Sequence, residues 1–440
     1  MQKSVLTTAV TLALASLAAG TAFAQSSLTI YGNADISLDN VHKSAGVPLL
    51  NGTLPALPGG VSAAAATQGT SSTVTRVSPS ATSQTSFGFR GVEDLGGGMK
   101  ASFVLEGQLS HDTGGLSQDG RIFGRQSYVG LTTPFGELRL GRQYAPIFYS
   151  TAFVTGERFG ATDLFIEGGA TNNLQVRWDN QISYWVQSGG FTGSVAYSPN
   201  AGSLSTVSAA RGAQVSSSVG GILGAASSGT EAANNTGRAL GAFANYAFSK
   251  DFNVTLGLHR NLFGGAAFGI YSGGSLIASN YKLERYDAAN IGAKYTFGNG
   301  IMVDGAFGQG RYDFTTSDNH MRLRFFAVGT RIPVGQWTFS AQASQIKFAN
   351  FTKGKDTGVM LGTEYALSKR TALFARAVQI RDDEGQRADA GLNPALGGIA
   401  GGPDVIATTF GFRETPLFAG AGINPGGTSR YIGAGIRHSF

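Results

Sequence analysis

Apolar and polar positions alternate along most of this chain with a period of two. Phe252, Val254, Leu256 and Leu258 take turns with Asn253, Thr255, Gly257 and His259. Ala289, Ile291, Ala293, Tyr295 and Phe297 do the same with Asn290, Gly292, Lys294 and Thr296, and Val359, Leu361 and Tyr365 with Met360, Gly362 and Glu364. A strand, whose successive side chains point to opposite faces, gives this period; a helix does not. The pattern predicts about sixteen strands, each with one apolar and one polar face. Two kinds of connection separate them. Short ones fall at 93–98, 133–136, 188–190, 249–251, 298–300, 333–335 and 368–370, and longer ones at 40–81, 198–237, 261–282 and 383–428. Short turns at one end and long loops at the other are the layout of a transmembrane antiparallel β-barrel with an even strand number. A soluble β-sandwich can also alternate, but it has no need of this asymmetry, and closure removes the edges that so many strands would leave. The fold class is therefore all-β.

One stretch, residues 144–174, does not alternate. It holds Pro146, the phenylalanines Phe148, Phe153, Phe159 and Phe165, the acids Glu157, Asp163 and Glu167, and one base, Arg158. Arg125, Arg139 and Arg142 precede it and Arg177 follows it. It reads as a segment folded inside the wall, where it narrows the space.

Composition supports a lipid-facing wall. Charged residues make up 14% of the chain, against about 25% in a soluble domain. Glycine is abundant at 65 residues and aromatics reach 10%. No apolar run beyond the N-terminus approaches the ~18 residues that a spanning helix needs. Strands that show lipid only every second residue need no such run. Cysteine is absent, which excludes a disulfide scaffold, a thiolate metal site and a cysteine nucleophile. The net charge of +6 is spread along the chain and not gathered into the patch that nucleic acid requires.

Residues 1–24 read as a secretory signal. Lys3 supplies the charged start, residues 5–19 the apolar core, and Ala22, Phe23 and Ala24 the small-residue cleavage site. Cleavage after Ala24 leaves residues 25–440 as the barrel. At the other end, Ile432, Ala434, Ile436 and Phe440 share one face of a final strand, with Gly433, Gly435 and Arg437 on the other; only His438 interrupts the apolar face. Tyr31, Tyr128, Tyr246, Phe248, Tyr295, Phe297, Tyr365 and Phe440 lie near strand ends and are expected to form an interfacial girdle.

Several segments in this order, FGFRGVEDLGGGMKASFVLEG, FGRQSYVGL, FGELRLGRQYAP, RWDNQISY and the terminal GIRHSF, closely resemble the general porins of Gram-negative bacteria, of the Neisseria/Burkholderia type. The resemblance runs from Gln25 to Phe440 and is weakest in the long loops. It implies a sixteen-stranded homotrimeric barrel in the outer membrane, surrounded by lipid and lipopolysaccharide. It implies a third loop, about residues 145–173, folded into the lumen as an eyelet. It also implies that Phe440 is the signal read by the outer-membrane assembly machinery. Arg125 and Arg177 match two positions of the family's arginine cluster on the wall. The third position is Ser86 here, a departure that weakens the positive side, for which Arg90 and Lys100 are candidate substitutes. Asp163 and Glu167, with Glu157 third, are the acids that would face them from the loop.

Alternation independently turns Arg177 inward with Asp179, Gln181 and Ser183, opposite Trp178, Ile182 and Tyr184. For Arg125 it does not, since that residue has the parity of Val129 and Leu131; only the resemblance assigns it inward. A cluster of fixed charge at a narrow aqueous constriction filters solutes by size and sign, and arginine keeps its charge and planar geometry at any working pH. The expected function is passive diffusion of ions and small hydrophilic solutes, with a weak anion preference. The alternatives are a substrate-selective channel on the same scaffold and a barrel-anchored surface adhesin or receptor.

Enzyme chemistry is not expected. His42, His111, His259, His320 and His438 fall in separate segments, and neither a G-x-S-x-G elbow nor an H-E-x-x-H zinc pattern occurs. Asp382, Asp383 and Glu384 read as a solvated loop and not a cation site. No catalytic residue, cofactor, metal or nucleic-acid partner is expected.

Overall fold

The computed structural model describes residues 27–45, 71–79, 81–116, 120–155, 177–201, 237–272, 275–314, 320–350, 354–383 and 426–440, with backbone alone over 263–272 and 275–283. The strands are β1 (Ser27–Lys43), β2 (Ser72–Pro79), β3 (Ser86–Gly96), β4 (Met99–Gly107), β5 (Gln126–Thr133) and β6 (Gly136–Tyr144), followed by a short helix, α1 (Pro146–Ala152). Then come β7 (Arg177–Ser188), β8 (Phe191–Ser198), β9 (Arg238–Ala247), β10 (Phe252–Ser272), β11 (Ser275–Thr296) and β12 (Met302–Phe314). The last are β13 (His320–Val334), β14 (Trp337–Asn350), β15 (Gly354–Ala366), β16 (Thr371–Asp383) and β17 (Thr428–Ser439).

From β3 onward each strand pairs antiparallel with the next, and β17 pairs with β1 from Asn33 to Lys43, which closes the ring. β2 and β3 follow one another along the same edge of β1, the first against Ile36–Lys43 and the second against Ser27–Asn33. Seventeen strands thus fill sixteen places around the wall. Asp35, fully buried, holds the break between β2 and β3. Its carboxylate accepts the backbone N–H groups of Ala81 at 2.9 Å, Thr82 at 3.0 Å and Ser83 at 2.9 Å.

The distribution of polarity is reversed relative to a protein in water. Val129, Leu140, Val195, Leu240, Ile291, Phe307, Val328, Leu361 and Ile432 are all exposed on the outer face. Asp35, Ser37, Asp39, Gln181, Ser183, Thr255, Asn290, Gln342 and Ser344 are buried on the inner one. The final strand keeps its predicted faces, with Ile432, Ala434 and Ile436 outward and Gly433, Gly435 and Arg437 inward. The inner face is not polar throughout. Val41, Met360, Phe374, Val378, Ile380 and Tyr431 form an apolar cluster on the inner side of β1 and β15–β17.

At the end with short connections, Tyr246, Phe248, Phe252, Tyr295 and Phe297 form a chain of rings whose centroids lie 4.8–6.2 Å apart. Trp337 continues it against Tyr365 at 4.8 Å. Tyr31 and Tyr128 do not belong to this girdle. Pairing sets Tyr31 opposite Gly88 on the inner face, where its hydroxyl donates to Glu106 at 2.9 Å, and Tyr128 lies inside beneath Arg139. Two long connections are also shorter than the sequence pattern suggests. Within 40–81, β1 runs on to Lys43 and the β-branched STVTRVSP pairs with it as β2. Within 261–282, β10 and β11 continue as a paired ribbon, with register shifts after Leu262 that break the simple alternation.

Candidate functional site

The inner wall gathers charge where β4, β6 and β7 approach the loop end. Glu106 stands near the end of β4, and Tyr144 ends β6 directly opposite Arg177, the first residue of β7. Arg125 lies just before β5, its backbone N–H fixed to the Glu106 carbonyl at 3.0 Å. That bond turns its side chain into the lumen, away from the outward-facing Val129 and Leu131. There Arg125 pairs with the Glu106 carboxylate, donates to Gln84 at 2.5 Å, and reaches the Tyr144 hydroxyl at 2.6 Å. Arg177 donates to the same hydroxyl at 3.0 Å and covers the Tyr144 ring at 4.5 Å from its centroid. The two arginines identified from sequence therefore meet on one phenol.

Two more arginines join them. Arg142 and Arg121 both bind Asp179, the latter at 3.0 and 3.1 Å to its two oxygens. The cluster then holds Arg121, Arg125, Arg142 and Arg177 against Glu106 and Asp179, an excess of positive charge. A bulge explains why sequence parity missed part of it. Between the pairs Gly141–Gln181 and Gln143–Trp178, β7 has one residue more than β6. The extra residue, Asn180, takes φ 52°, the left-handed region that asparagine tolerates better than most side chains. Ile182 and Tyr184 remain outside as the alternation predicts. Trp178, expected beside them, is fully buried instead, with its ring 5.2 Å from that of His259.

Arg90 lies on the same inner surface over the Tyr31 ring, at 5.2 Å, and through Tyr31 adjoins Glu106. Lys100 is six positions from Glu106 along β4, about 20 Å at strand rise, and stands at the short-connection end opposite Asp94. Ser86 faces Asn33 on the inner wall. Asp163 and Glu167, like Glu157, lie outside the described residues.

The described start of the 144–174 stretch packs on inward-facing side chains. Tyr144 stacks on Phe148 at 4.4 Å, Tyr149 meets Trp185 edge-on at 4.8 Å, and Phe153 lies 5.1 Å from Phe243. Burial pushes the Tyr149 phenol well above the ordinary tyrosine range, so it stays neutral. Ser150 bonds Asn290 and accepts the Thr255 hydroxyl at its carbonyl, while the Lys294 ammonium donates to the Phe153 carbonyl at 3.1 Å beyond the helix end. Gly257 and Gly292 let α1 lie close against β10 and β11, because a Cβ at either would overlap Ser150 or come 2.5 Å from Val154.

A second charged group lies on the inner face nearer the short connections. Glu364 accepts from Arg376 at 3.1 Å and from Arg437 at 3.0 and 3.2 Å, with Arg331 at 3.5 Å. Four strands supply its members, so no local spacing announces it; only the inward parity of Glu364 and Arg437 was legible. Phe440 closes the chain, exchanging two 3.1 Å backbone bonds with Gly32 while its ring faces outward.

The sequence profile described as Gram-negative porin matches residues 9–385. Outer membrane porin protein 32 of Delftia acidovorans is 26% identical over 445 residues, covering 98% of this chain and 99% of that protein. Among solved structures, the anion-selective porin from Comamonas acidovorans aligns with a TM-score of 0.60 at 22% identity, over 94% of this chain and 100% of that one. OmpT of Vibrio cholerae, folded in vitro and in its trimer form, aligns at 0.58 with 12% identity, over 94% and 99%. At these identities the two structures speak for the fold.

Proposed function

The chain belongs to the Gram-negative porin family, an outer-membrane channel for passive diffusion, and from that premise we propose that its pore favours anions through the arginine cluster centred on Tyr144. The observation that carries this reading is the convergence of Arg125 and Arg177 on one hydroxyl. A guanidinium held by a ring face and a phenol keeps a fixed position, so its field on a passing ion does not average away. Arg121, Arg142 and Arg90 extend the positive surface, and Glu106 and Asp179 offset part of it.

The channel passes ions and small hydrophilic solutes down their gradients and assembles as a homotrimer, as the trimer form of the related OmpT fold supports. Phe440 serves as the signal for insertion. The test is the reversal potential across a planar bilayer in asymmetric salt. One unit charge a few ångströms from an ion in near-water dielectric is worth about 1 kcal/mol, or roughly a fivefold change in permeability ratio. Wild type should prefer the anion, and Arg177→Ala should lose most of that preference. Identical reversal potentials would remove Arg177 from the constriction.

A further inference from the structure

The inner wall of a diffusion channel meets water, yet on the short-connection side of the arginine cluster it carries aromatic rings. Phe148, Tyr149 and Phe153, of α1 and its C-terminal cap, gather against Trp185 of β7 and Phe243 of β9. Tyr149 meets Trp185 edge-on and lies 5.8 Å from Phe243. Phe148 stands 5.9 Å from Tyr149 and Phe153 6.3 Å, so the rings form one continuous patch. Helix packing alone does not account for it. Ile147 and Val154 seat α1 and its end, and both are fully buried. Phe148, Tyr149, Phe153 and Trp185 are only half-buried, so part of each ring is open to the lumen.

A cation with unused donors adjoins the rings. Arg139 of β6 lies between Trp185 and Tyr128, its guanidinium carbon 4.7 and 5.2 Å from their centroids. Its Nη2 donates to Glu137 at 2.7 Å, while Nε and Nη1 bond to nothing among the described residues. The Tyr128 and Tyr149 hydroxyls, both within electrostatic reach of Arg139, make no hydrogen bond among those residues either. Glu106, the other acid close to Tyr149, is already held by Arg125 and Tyr31. Polar groups at such depth are usually paired within the protein or with water. Here every unpaired group can donate, so the partner that suits all of them is an anionic acceptor. The Arg139 side chain is 21% exposed, which leaves it within reach of a solute in the lumen.

We propose that this patch binds aromatic carboxylates, the carboxylate on Arg139 and the two phenols and the ring against Tyr149, Phe153 and Trp185. Two features select the ligand. A carboxylate offers acceptors alone and pairs strongly with a guanidinium. A flat ring gains edge-on or offset contact with the aromatic patch that an acid without a ring does not. Arg139 is five positions from Tyr144 along β6, towards the short connection, so an anion drawn in by Arg125 and Arg177 meets the patch next. The proposal rests on the channel reading and names a solute class for it.

The test is block of the chloride current of the full chain in planar bilayers by benzoate, cyclohexanecarboxylate or acetate. Benzoate should halve the current at a concentration about tenfold below that of acetate and about threefold below that of cyclohexanecarboxylate. Arg139→Gln should raise the benzoate concentration needed by about tenfold, and Trp185→Leu should narrow the gap between benzoate and cyclohexanecarboxylate. Lys250→Gln, in the turn after β9, should behave as wild type. Strand content by circular dichroism checks folding, and Tyr149→Phe, with about a threefold loss, serves if Arg139→Gln does not fold. Equal block of wild type by benzoate and acetate overturns the proposal. So does block that Arg177→Ala removes and Arg139→Gln leaves intact, which would put benzoate at the Tyr144 cluster. Calorimetric titration of benzoate into the same proteins in detergent reads the patch without a current. Wild type that conducts but shows neither block nor binding by benzoate sinks this inference alone. Wild type that does not conduct sinks the channel, and the titration then decides the patch: benzoate binding weakened by Arg139→Gln upholds it, and no binding overturns it.

Discussion

Tyr144 does more for the site than any single charge in it. Its hydroxyl accepts from both Arg125 and Arg177, and its ring carries the Arg177 guanidinium. Tyr144→Phe keeps the ring and removes the common acceptor, so both arginines lose an anchor but not their charge. Selectivity should fall by about twofold, less than the roughly fivefold loss for Arg177→Ala, as reversal potentials would measure. Arg177 was legible as an inner-wall candidate from its polar neighbours Asp179, Gln181 and Ser183, although the bulge at Asn180 breaks the alternation between it and Gln181. The company it keeps was not. Arg142 and Asp179 meet because β7 gains one residue at Asn180, and a bulge leaves little trace in a pattern of apolar and polar letters. Arg121, in a loop without period, had no pattern to be read from.

At the level of elements, two joints hold the lumen in shape. The first is Asp35, which satisfies three backbone N–H groups at the break between β2 and β3. Asp35→Ala would leave these buried donors without that acceptor, a cost of about 3 kcal/mol or more, seen as a lower urea midpoint for refolded barrel. The second is the seat of α1 on Gly257 and Gly292. Gly292→Val would overpack that seat by about 1–3 kcal/mol and push the helix off the wall towards the pore axis. Single-channel conductance should fall, and unchanged conductance would show that α1 does not border the ion path. Strand faces were legible here, since period-two alternation depends only on which side meets lipid. β2 was not, because its serines and threonines match the low-complexity sequence around them and only pairing with β1 distinguishes them.

For the molecule as a whole, a ring of strands with an apolar exterior needs a bilayer, and the outer membrane of its family supplies one. The proposed homotrimer predicts that unheated protein in mild detergent has about three times the chain mass by light scattering, falling to one on boiling. Phe440→Ala should lower the amount reaching the outer membrane while leaving the conductance of refolded protein unchanged, because the Phe440 side chain faces outward, away from the pore.

The pairing of β1 with β17 carries a consequence for how such a chain is made. Residues at opposite ends of 440 positions must meet before either has a partner on that side. Contact order is therefore near its maximum at this seam, and formation should be slow. No shorter chain is a smaller channel: a product stopped before Thr428 exposes two unpaired edges at once, each a template for aggregation. Completion is all or nothing, and the last dozen residues decide it.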